Sequence, residues 1–284
     1  MIWRFRGREM TFERVRIMGI LNVTPDSFSD GGQFFSKDKA IEKALEMERE
    51  GADLIDVGGE STRPDAEAVS SEEELDRVLP VIRGIRSRTR LPLSIDTTKP
   101  EVARAALKVG ADIVNDVDGL SASSQMADVV KEFEAGLILM HRRGTPQTMQ
   151  GLAQYEDVAE EVSRELGRSF KEMDRAGVHP DQMVLDPGIG FAKTAEQNLE
   201  LIARLHEFHS WGRPILVGPS RKSFIGILTG KNPEERDWGT AAAVTLSVTE
   251  GAHLMRVHQV SAMKDVIKVA EEIKNRRGRE HVRS

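Results

Sequence analysis

Short apolar runs recur along the whole chain, and each is followed by a polar segment rich in Gly, Pro, Asp or Ser. Apolar runs without alternation are typical of strands that are buried on both faces, as in a parallel sheet. The pattern predicts strands at residues 16–21, 53–57, 91–95, 112–117, 137–140, 182–185, 214–218 and 253–257. The spacing between these runs leaves room for a helix after each strand.

Helical patterns occupy the intervals between the strands. After Ser71, the apolar residues that follow one face of a helix are Leu75, Val78, Leu79, Ile82 and Ile85. A second helix is predicted from Pro100, a residue suited to a helix start, to Gly110, a residue suited to a helix end. Further helices are predicted at residues 37–50, 123–135, 156–176, 195–208, 238–250 and 262–276.

Eight strands alternating with eight helices predict a single-domain (β/α)8 TIM barrel of the α/β class. The alternative is an open, doubly wound sheet, which normally carries a glycine-rich first turn. The first turn here reads Asn22-Val-Thr-Pro-Asp26 and has no glycine, which favours the barrel. We expect a lead-in at residues 1–15, with a marginal strand around Thr11-Phe12 and Val15, then the barrel at 16–278 and a tail at 279–284.

Composition excludes several classes of protein. The chain has 284 residues, and no apolar run approaches the length that spans a membrane. It has no cysteine, which excludes disulfides, thiolate metal sites and cysteine nucleophiles and fits a reducing cytoplasm. The formal net charge of −6 argues against nucleic acid as a partner. An anionic ligand therefore requires a local basic cluster.

The polar segments after the strands carry the candidate chemistry, because the carboxyl ends of barrel strands meet at one mouth. A single Asp or Asn at a strand end often caps the next helix, but here all eight ends are polar. In chain order they contribute Asn22, residues 56–64, Asp96, Asn115 with Asp116, His141 with Arg142, residues 186–190, residues 220–222, and Arg256 with His258.

These side chains divide by chemistry. Asp96, Asn115 and Asp186 offer short donors and acceptors that suit the amide and amino edges of a flat heterocycle. Asn22 and Asp26 are oxygen ligands of the kind that Mg2+ shares with substrate phosphates. The positively charged members, which suit a phosphate or diphosphate group, are Arg63, Lys222, Arg256 and His258.

Several of these segments together resemble the bacterial dihydropteroate synthases, a family of pterin-binding enzymes, over nearly the full length of the chain. Residues 22–30 (Asn-Val-Thr-Pro-Asp-Ser-Phe-Ser-Asp) and 53–64 (Asp-Leu-Ile-Asp-Val-Gly-Gly-Glu-Ser-Thr-Arg-Pro) match the two most specific signatures of that family. Weaker matches lie at residues 94–96, 115–116, 185–191, 218–224 and 256–258. The resemblance implies a (β/α)8 barrel that acts in folate biosynthesis, usually as a homodimer.

The resemblance also implies a reaction and a metal. Enzymes of this family are transferases that condense 6-hydroxymethyl-7,8-dihydropterin diphosphate with 4-aminobenzoate, release diphosphate, use Mg2+ and are the target of sulfonamides. The implied pterin-binding residues are Asp96, Asn115, Asp186, Lys222 and Arg256. The implied diphosphate-binding residues are Thr62, Arg63, Arg256 and His258. The implied aminobenzoate-binding residues are Phe28, Thr62, Pro64, Phe191, Ser220 and Lys222. Asn22 becomes the Mg2+ ligand, and the catalytic residues are Asp96, Lys222 and Arg256.

Four positions depart from the family pattern without removing any of these residues, namely Arg142, Ala192, Gln197 and Gln259. Two other functions stay open. A non-catalytic pterin-binding paralogue would keep Asp96, Asn115 and Asp186 but lose loop residues or Arg256. A pterin-dependent methyltransferase would have no use for a diphosphate cluster. Because the chain retains the loop signatures and Arg256, the synthase is favoured.

Overall fold

The computed structural model describes residues 1–24, 32–61, 68–119 and 124–280, without the side chains of residues 32–36 and 277–280. Within this part of the chain, eight parallel strands form one sheet. They are β3 Arg16–Asn22, β4 Leu54–Gly58, β5 Leu93–Asp96, β6 Ile113–Asp116, β7 Gly136–Met140, β8 Met183–Asp186, β9 Leu216–Val217 and β10 Leu254–Val257. Their order in the sheet is β8-β7-β6-β5-β4-β3-β10-β9. A parallel bridge between Leu185 and Ile215 links the two edges, so the sheet closes into a barrel.

Helices follow the strands and cover the outside of the barrel. They are α1 Gly32–Glu50, α2 Ser71–Arg86, α3 Pro100–Val109, α4 Ser124–Glu132, α5 Val158–Arg175, α6 Ala195–Ala203, α7 Ser223–Thr229, α8 Asp237–Thr249 and α9 Val260–Glu280. The predicted (β/α)8 barrel is confirmed, and each strand lies within two residues of its predicted ends. The sequence pattern did not indicate α7 as a separate helix. None of the helices in the described residues combines the length and apolarity needed to cross a lipid bilayer.

Local sequence explains where several helices begin. The Ser70 side chain caps α2 by accepting a hydrogen bond from the Glu73 amide at 3.2 Å. At α6, the Thr194 hydroxyl accepts from the Gln197 amide at 3.2 Å, and the Gln197 side chain accepts from the Thr194 amide at 2.8 Å. This reciprocal pair is a capping box. The departure from the family pattern at Gln197 therefore serves the start of a helix.

A hairpin closes the amino-terminal end of the barrel. Strands β1 Ile2–Phe5 and β2 Arg8–Thr11 pair antiparallel around a turn in which Arg6 and Gly7 both have positive φ, 49° and 71°. Trp3 and Phe5 are buried against an apolar cluster of barrel residues, Met18, Leu54, Ile113, Ile138, Val184, Leu216 and Leu254. The expectation of one marginal strand at residues 11–15 was wrong. The missed signal is the alternation of Trp3, Arg4 and Phe5, which buries the aromatic residues and exposes the arginine.

Candidate functional site

The register of the barrel strands brings the predicted polar residues together. Asn22 pairs with Gly58, Gly58 with Asp96, and Asp96 with Asn115, so these four residues lie side by side at the carboxyl ends of β3 to β6. Asp186 ends β8 beside the last residue of β7. Gly58 lies close to its neighbours in this row, since a Cβ there would be 3.5 Å from the Asp96 Cβ, an ordinary van der Waals distance.

Arg256 on β10 joins two aspartates across the mouth. Its Nε donates to Asp56 Oδ2 at 2.7 Å, and its Nη2 donates to Asp96 Oδ2 at 2.8 Å. Asn115 Nδ2 donates to the same Asp56 oxygen at 3.0 Å. Asp56 is completely buried and links all of these groups, yet the sequence pattern assigned it no role. The sequence signals were its position in a polar segment after a predicted strand and its place within the signature at residues 53–64.

Burial and charge set the ionisation of this cluster. Burial raises the pKa of Asp96 to about 7, Arg256 opposes the shift, and the charges of Asp56 and Glu74 add to it. Burial also raises the pKa of Asp186 to about 6. The hydrogen bond that Asp186 Oδ1 accepts from the Gly188 amide at 2.7 Å acts in the opposite direction and lowers this pKa. Burial acts against the charge of Arg256, but Asp56 and Asp96 outweigh it and raise the Arg256 pKa.

Some buried acceptors at these strand ends lack a partner among the described residues. They are Asp56 Oδ1, Ser94 Oγ and Asn115 Oδ1. A buried polar atom without a hydrogen bond costs folding free energy of about 1–3 kcal/mol. Donor groups on a bound heterocycle would satisfy such acceptors, which agrees with the chemistry expected for this part of the mouth.

The ends of β8, β9 and β10 supply the apolar and basic part of the mouth. Lys222 Nζ lies 3.9 Å from the centre of the Phe191 ring, a cation–π contact. Ser220 Oγ lies 2.9 Å from His258 Nδ1, and the His258 amide donates to the same hydroxyl at 3.3 Å. Gly190 allows Lys222 to approach, because a Cβ there would lie 2.9 Å from the Lys222 Cδ. The structure therefore brings these four predicted site residues into two contacting pairs.

Several predicted residues lie outside the described part of the chain. They are Asp26, Phe28, Thr62, Arg63 and Pro64. Described residues on either side of residues 62–67 contact one another. Lys99 Nζ donates to Glu60 Oε2 at 2.5 Å and to the buried Glu74 at 2.6 Å, while the Val69 amide donates to Glu60 Oε1 at 3.1 Å. Glu60 thus links Val69 and Lys99, contacts that sequence reasoning missed.

Asn22 is the described residue that fits a hard metal ion. It is partly exposed at the end of β3, within the row that leads to Asp96. Among the described residues, no group of three or more His, Cys, Asp or Glu side chains is placed to hold a metal. Mg2+ commonly takes one or two protein oxygens and fills its remaining positions with water and substrate phosphates. A single amide oxygen beside a diphosphate would fit that pattern.

Two of the family departures lie near the mouth. Arg142 is almost completely buried, and its Nη2 lies 3.1 Å from Asp118 Oδ1. Burial raises the pKa of neighbouring Asp116 to about 7, although the hydrogen bond from the Asp118 amide lowers it.

Ala192 follows Phe191 and has a φ of 49°, a region that glycine adopts more readily. At Gln259, the structure shows only the backbone carbonyl accepting from the Met263 amide.

The chain is similar to known pterin-binding proteins. The family described as "Pterin binding enzyme" matches residues 18–258. Dihydropteroate synthase of Synechocystis sp. is 51% identical over 260 residues, which cover 91% of this chain and 90% of the relative. The solved structure of Xanthomonas albilineans dihydropteroate synthase with 4-aminobenzoic acid is 45% identical, has a TM-score of 0.88, and is matched over 94% of this chain and 96% of that one. Yersinia pestis dihydropteroate synthase, solved with a sulfonamide drug, is 38% identical with a TM-score of 0.91, and the match covers 97% of this chain and all of that one.

Proposed function

The chain belongs to the pterin-binding enzyme family, and from that membership we propose that it is a dihydropteroate synthase. It is a transferase that condenses 6-hydroxymethyl-7,8-dihydropterin diphosphate with 4-aminobenzoate to give 7,8-dihydropteroate and diphosphate, a step of folate biosynthesis. The observation that carries the proposal is the identity of 51% to a dihydropteroate synthase across 91% of the chain. The strand-end cluster around Arg256 supports it, because a buried polar mouth of this kind suits a pterin.

The pterin binds in the buried part of the mouth, on Asp96, Asn115, Asp186, Lys222 and Arg256. Support comes from the unpartnered Asn115 Oδ1 and from two carboxylates that burial keeps away from water. Carboxylates at these depths accept hydrogen bonds from the amino and amide N–H groups of a heterocycle. Recognition of a polar ring by buried acceptors also rejects analogues that lack the matching donors.

The diphosphate and the aminobenzoate bind toward the opening. Arg256 and His258, together with Thr62 and Arg63, hold the diphosphate. The residues proposed to form the aminobenzoate site are Phe28, Thr62, Pro64, Phe191, Ser220 and Lys222. The contacts of Lys222 with Phe191 and of Ser220 with His258 support a shared boundary between the two ligands. The X. albilineans enzyme, whose fold is similar, has been solved with 4-aminobenzoic acid.

Asn22 is proposed to hold Mg2+ together with the diphosphate. When bound, the metal supplies positive charge that stabilises the diphosphate as it departs. The position of Asn22, at the strand end next to β4, supports a place near the substrate. A direct test is to measure diphosphate binding with and without Mg2+ in the parent and in Asn22→Ala. Mg2+ should strengthen binding in the parent and have a much smaller effect in the variant.

The reaction begins when the C–O bond between the pterin methylene and the diphosphate breaks. Diphosphate leaves with the bonding electrons, and a cation forms on the pterin methylene. Asp96 places a carboxylate beside the developing positive charge, and Arg256 and His258 offset the negative charge of the leaving group. The neutral aromatic amine attacks the methylene carbon, forms the new C–N bond and then loses a proton, so no strong base is required.

The test is formation of product by the purified protein. With Mg2+ and both substrates, the parent should make 7,8-dihydropteroate and diphosphate in equal amounts, and Arg256→Ala should lose most of the activity. A non-catalytic paralogue would bind the pterin without forming product. A methyltransferase would instead transfer a methyl group from a pterin donor. Either result would contradict the synthase proposal.

A homodimer in the cytoplasm completes the proposal. Four large apolar side chains on α7 and α8 are strongly exposed in the single chain: Ile227 at 69%, Leu228 at 58%, Trp238 at 84% and Leu246 at 57%. Exposed apolar side chains grouped on packed helices commonly mark a protein–protein interface. We therefore place the dimer surface on these two helices. The absence of cysteine supports a reducing compartment such as the cytoplasm.

A further inference from the structure

The loop between β8 and α6 carries residues from two proposed substrate sites. Asp186 at its start belongs to the pterin site, and Phe191 belongs to the aminobenzoate site. From Gly188 to Ala192 the backbone coils tightly, with φ values of 70° at Gly188, 86° at Gly190 and 49° at Ala192. Glycine gives a chain conformational freedom, so a loop of this kind needs contacts that hold it in one conformation.

Lys193 provides such contacts from beneath the loop. Its Nζ donates to the Gly188 carbonyl at 3.0 Å and to the Phe191 carbonyl at 2.8 Å, and it lies 3.0 Å from His141 Nδ1. The lysine is almost completely buried, and this burial lowers its pKa to about 7, while the charge of Asp186 opposes the shift. The ammonium form, which supplies three donors, therefore predominates below about pH 7. Three contacts use the three donors of an ammonium group, and two of them fix backbone groups on either side of Gly190.

His141 connects Lys193 to α5. Its Nε2 lies 3.0 Å from Glu165 Oε2, and Arg143 Nε donates to the same oxygen at 3.0 Å. Burial lowers the pKa of His141 to about 4, which keeps the ring neutral at pH 7. Because Nδ1 then accepts from the Lys193 ammonium, the ring proton lies on Nε2 and is donated to Glu165. The histidine is thus fixed in one tautomer between a buried cation and a carboxylate.

The charges in this network compensate one another. Burial acts against ionisation of Glu165, but its hydrogen bonds with His141 and Arg143 outweigh burial and lower its pKa to about 2. A buried ammonium group is stable only when polar partners replace its hydration. For Lys193 these partners are two carbonyls and a histidine that is itself held by Glu165.

Holding the loop also holds the groups that face the substrates. The Gly188 amide donates to Asp186 Oδ1 at 2.7 Å, so the position of Gly188 orients the Asp186 carboxylate, which is proposed to bind the pterin. The Phe191 ring contacts Lys222 Nζ, so fixing the Phe191 backbone also fixes the ring against which Lys222 packs. From the other side, Asn198 Oδ1 accepts from the Gly190 amide at 2.6 Å. The Gly188 carbonyl also accepts from the Phe191 amide at 3.1 Å, and Lys193 adds side-chain donors to the carbonyls of both residues.

We propose that Lys193, supported by His141 and Glu165, is a positioning residue that fixes the Gly188–Phe191 loop for binding of aminobenzoate. Lys193 does not touch a substrate; it acts through Phe191, Lys222 and Asp186. The role in aminobenzoate binding rests on the proposed synthase function, whereas the effect on the loop itself does not. Without the lysine, binding of aminobenzoate would have to order the loop. The conformational entropy lost in that ordering would weaken the binding of aminobenzoate.

The first experiment compares Lys193→Met with the parent. Methionine has a similar length but no donor, so the KM for 4-aminobenzoate should rise about ten-fold or more while kcat changes by less than about three-fold. A matched control is Lys274→Met, because Lys274 is partly buried and, like Lys193, donates to a backbone carbonyl, that of Val248 at 2.9 Å. The control should leave both constants unchanged. Equal KM values for parent and Lys193→Met would overturn the proposal.

The second experiment measures the loop without any enzymatic reaction. In amide hydrogen exchange, residues 188–191 should lose protection in Lys193→Met, while the amides of β3 to β7 should exchange as in the parent. Unchanged protection at residues 188–191 would contradict the role of Lys193 in the loop. This measurement stays valid even if the parent makes no dihydropteroate, so a failure of the synthase proposal and a failure of the positioning proposal can be distinguished.

The third experiment uses the absence of cysteine from the chain. In Lys193→Cys, the introduced thiol is the only one, and 2-bromoethylamine applied to the unfolded protein forms a C–S bond, releases bromide and yields a side chain that ends in an ammonium group. After refolding, the aminoethylated protein should recover the parent KM for 4-aminobenzoate to within a few-fold, whereas the unmodified variant should not. The parent, taken through the same unfolding and refolding, is the control. Failure of the modified protein to recover beside an active refolded parent would argue against a role for the ammonium group.

Discussion

Arg256 and Asp56 form the ion pair on which the other polar groups of the mouth depend. Arg256 is shared by Asp56 and Asp96, and Asp56 also orients Asn115. Removing one partner of a buried ion pair leaves an uncompensated charge, which usually costs more than the pair itself contributes. We therefore interpret Asp56 as the residue that positions Arg256 and Asn115, while Asp96 is the carboxylate that faces the substrate.

At the residue scale we predict an acid limb in the pH dependence of kcat/KM. The raised pKa of Asp96 means that its carboxyl is protonated below about pH 7 and ionised above it. Since the ionised form is the one that stabilises a cation, activity should fall by up to about ten-fold for each pH unit below this value. The measurement is kcat/KM for the pterin diphosphate between about pH 5 and pH 9.

Two variants test the assignment of this limb. Asp56→Asn removes a like charge that raises the pKa of Asp96, so the limb should move to lower pH. Asp96→Asn should keep the fold, lower turnover by about ten-fold or more above pH 7, where the parent carboxyl is ionised, and abolish the acid limb. A limb that stays in place in Asp56→Asn would indicate that a different group titrates, and full turnover in Asp96→Asn would remove its electrostatic role.

At the scale of single elements, the barrel has different structures at its two ends. The hairpin β1–β2 packs apolar side chains under the strands, and it is tied there by hydrogen bonds from Trp3 Nε1 to the Gln182 carbonyl at 2.8 Å and from the Arg6 side chain to the carbonyls of Leu107 and Ala111. The opposite end carries loops that are held by charged groups, such as Glu60 with Lys99 and Lys193 with His141. Apolar packing stabilises one end, and polar contacts orient the other.

We predict that the hairpin contributes to stability without contributing to catalysis. Trp3→Ala removes a fully buried aromatic side chain and should lower the free energy of unfolding by about 3–5 kcal/mol, measured by urea denaturation. At temperatures where the variant stays folded, its kcat should equal that of the parent, because Trp3 lies at the amino-terminal end of the barrel.

Arg4→Ala is the control for this prediction. Arg4 lies on the same strand with its side chain about half exposed, so its removal should change stability by less than about 0.5 kcal/mol. If Trp3→Ala unfolds at the same urea concentration as the parent, the hairpin is not part of the cooperative fold. A loss of kcat in folded Trp3→Ala would show that the two ends of the barrel are coupled.

At the scale of the whole molecule, charge and apolar surface are distributed unevenly. The chain carries a net charge of −6, yet Arg256, Lys222 and His258 are gathered at the carboxyl ends of the last strands. These side chains can contact the phosphate groups of an anionic substrate, although Asp56 and Asp96 already share Arg256. The exposed apolar side chains of α7 and α8 lie on helices close to the same strands, so a dimer through them would adjoin the loops that carry Ser220 and Lys222.

We predict that the protein is a dimer in solution and that α7 and α8 form its interface. Sedimentation equilibrium should give a mass near twice that of the chain of 31.6 kDa. The double variant Leu228→Glu with Trp238→Glu should sediment as a monomer, because charged groups would be buried in the interface. Leu199→Glu is the control, since Leu199 is also exposed but lies on α6. A parent of single-chain mass, or a double variant that remains dimeric, would contradict the proposed surface.

The sequence by itself determined the elements of the barrel and the residues at the ends of its strands. Apolar runs such as Ile17 to Leu21 predict buried strands from local pattern alone, and the eightfold alternation of strands and helices leaves few folds to consider. Asp96, Asn115 and Asp186 could be singled out for the same reason, because the parallel strands of a barrel bring their carboxyl ends together. The family signatures then connected these positions to a reaction.

Only the tertiary structure decided which of these residues contact one another. Asp56 and Arg256 are 200 positions apart, and Lys193 and His141 are 52 apart, so no local pattern reports either contact. Both depend on strand register and on how far each side chain reaches across the mouth. The packing of Trp3 against side chains at the amino-terminal end of the barrel likewise depends on the closed sheet. Local pattern reflects the interactions of a segment with its own neighbours in sequence, whereas these contacts arise only after the sheet has closed and brought distant strands side by side.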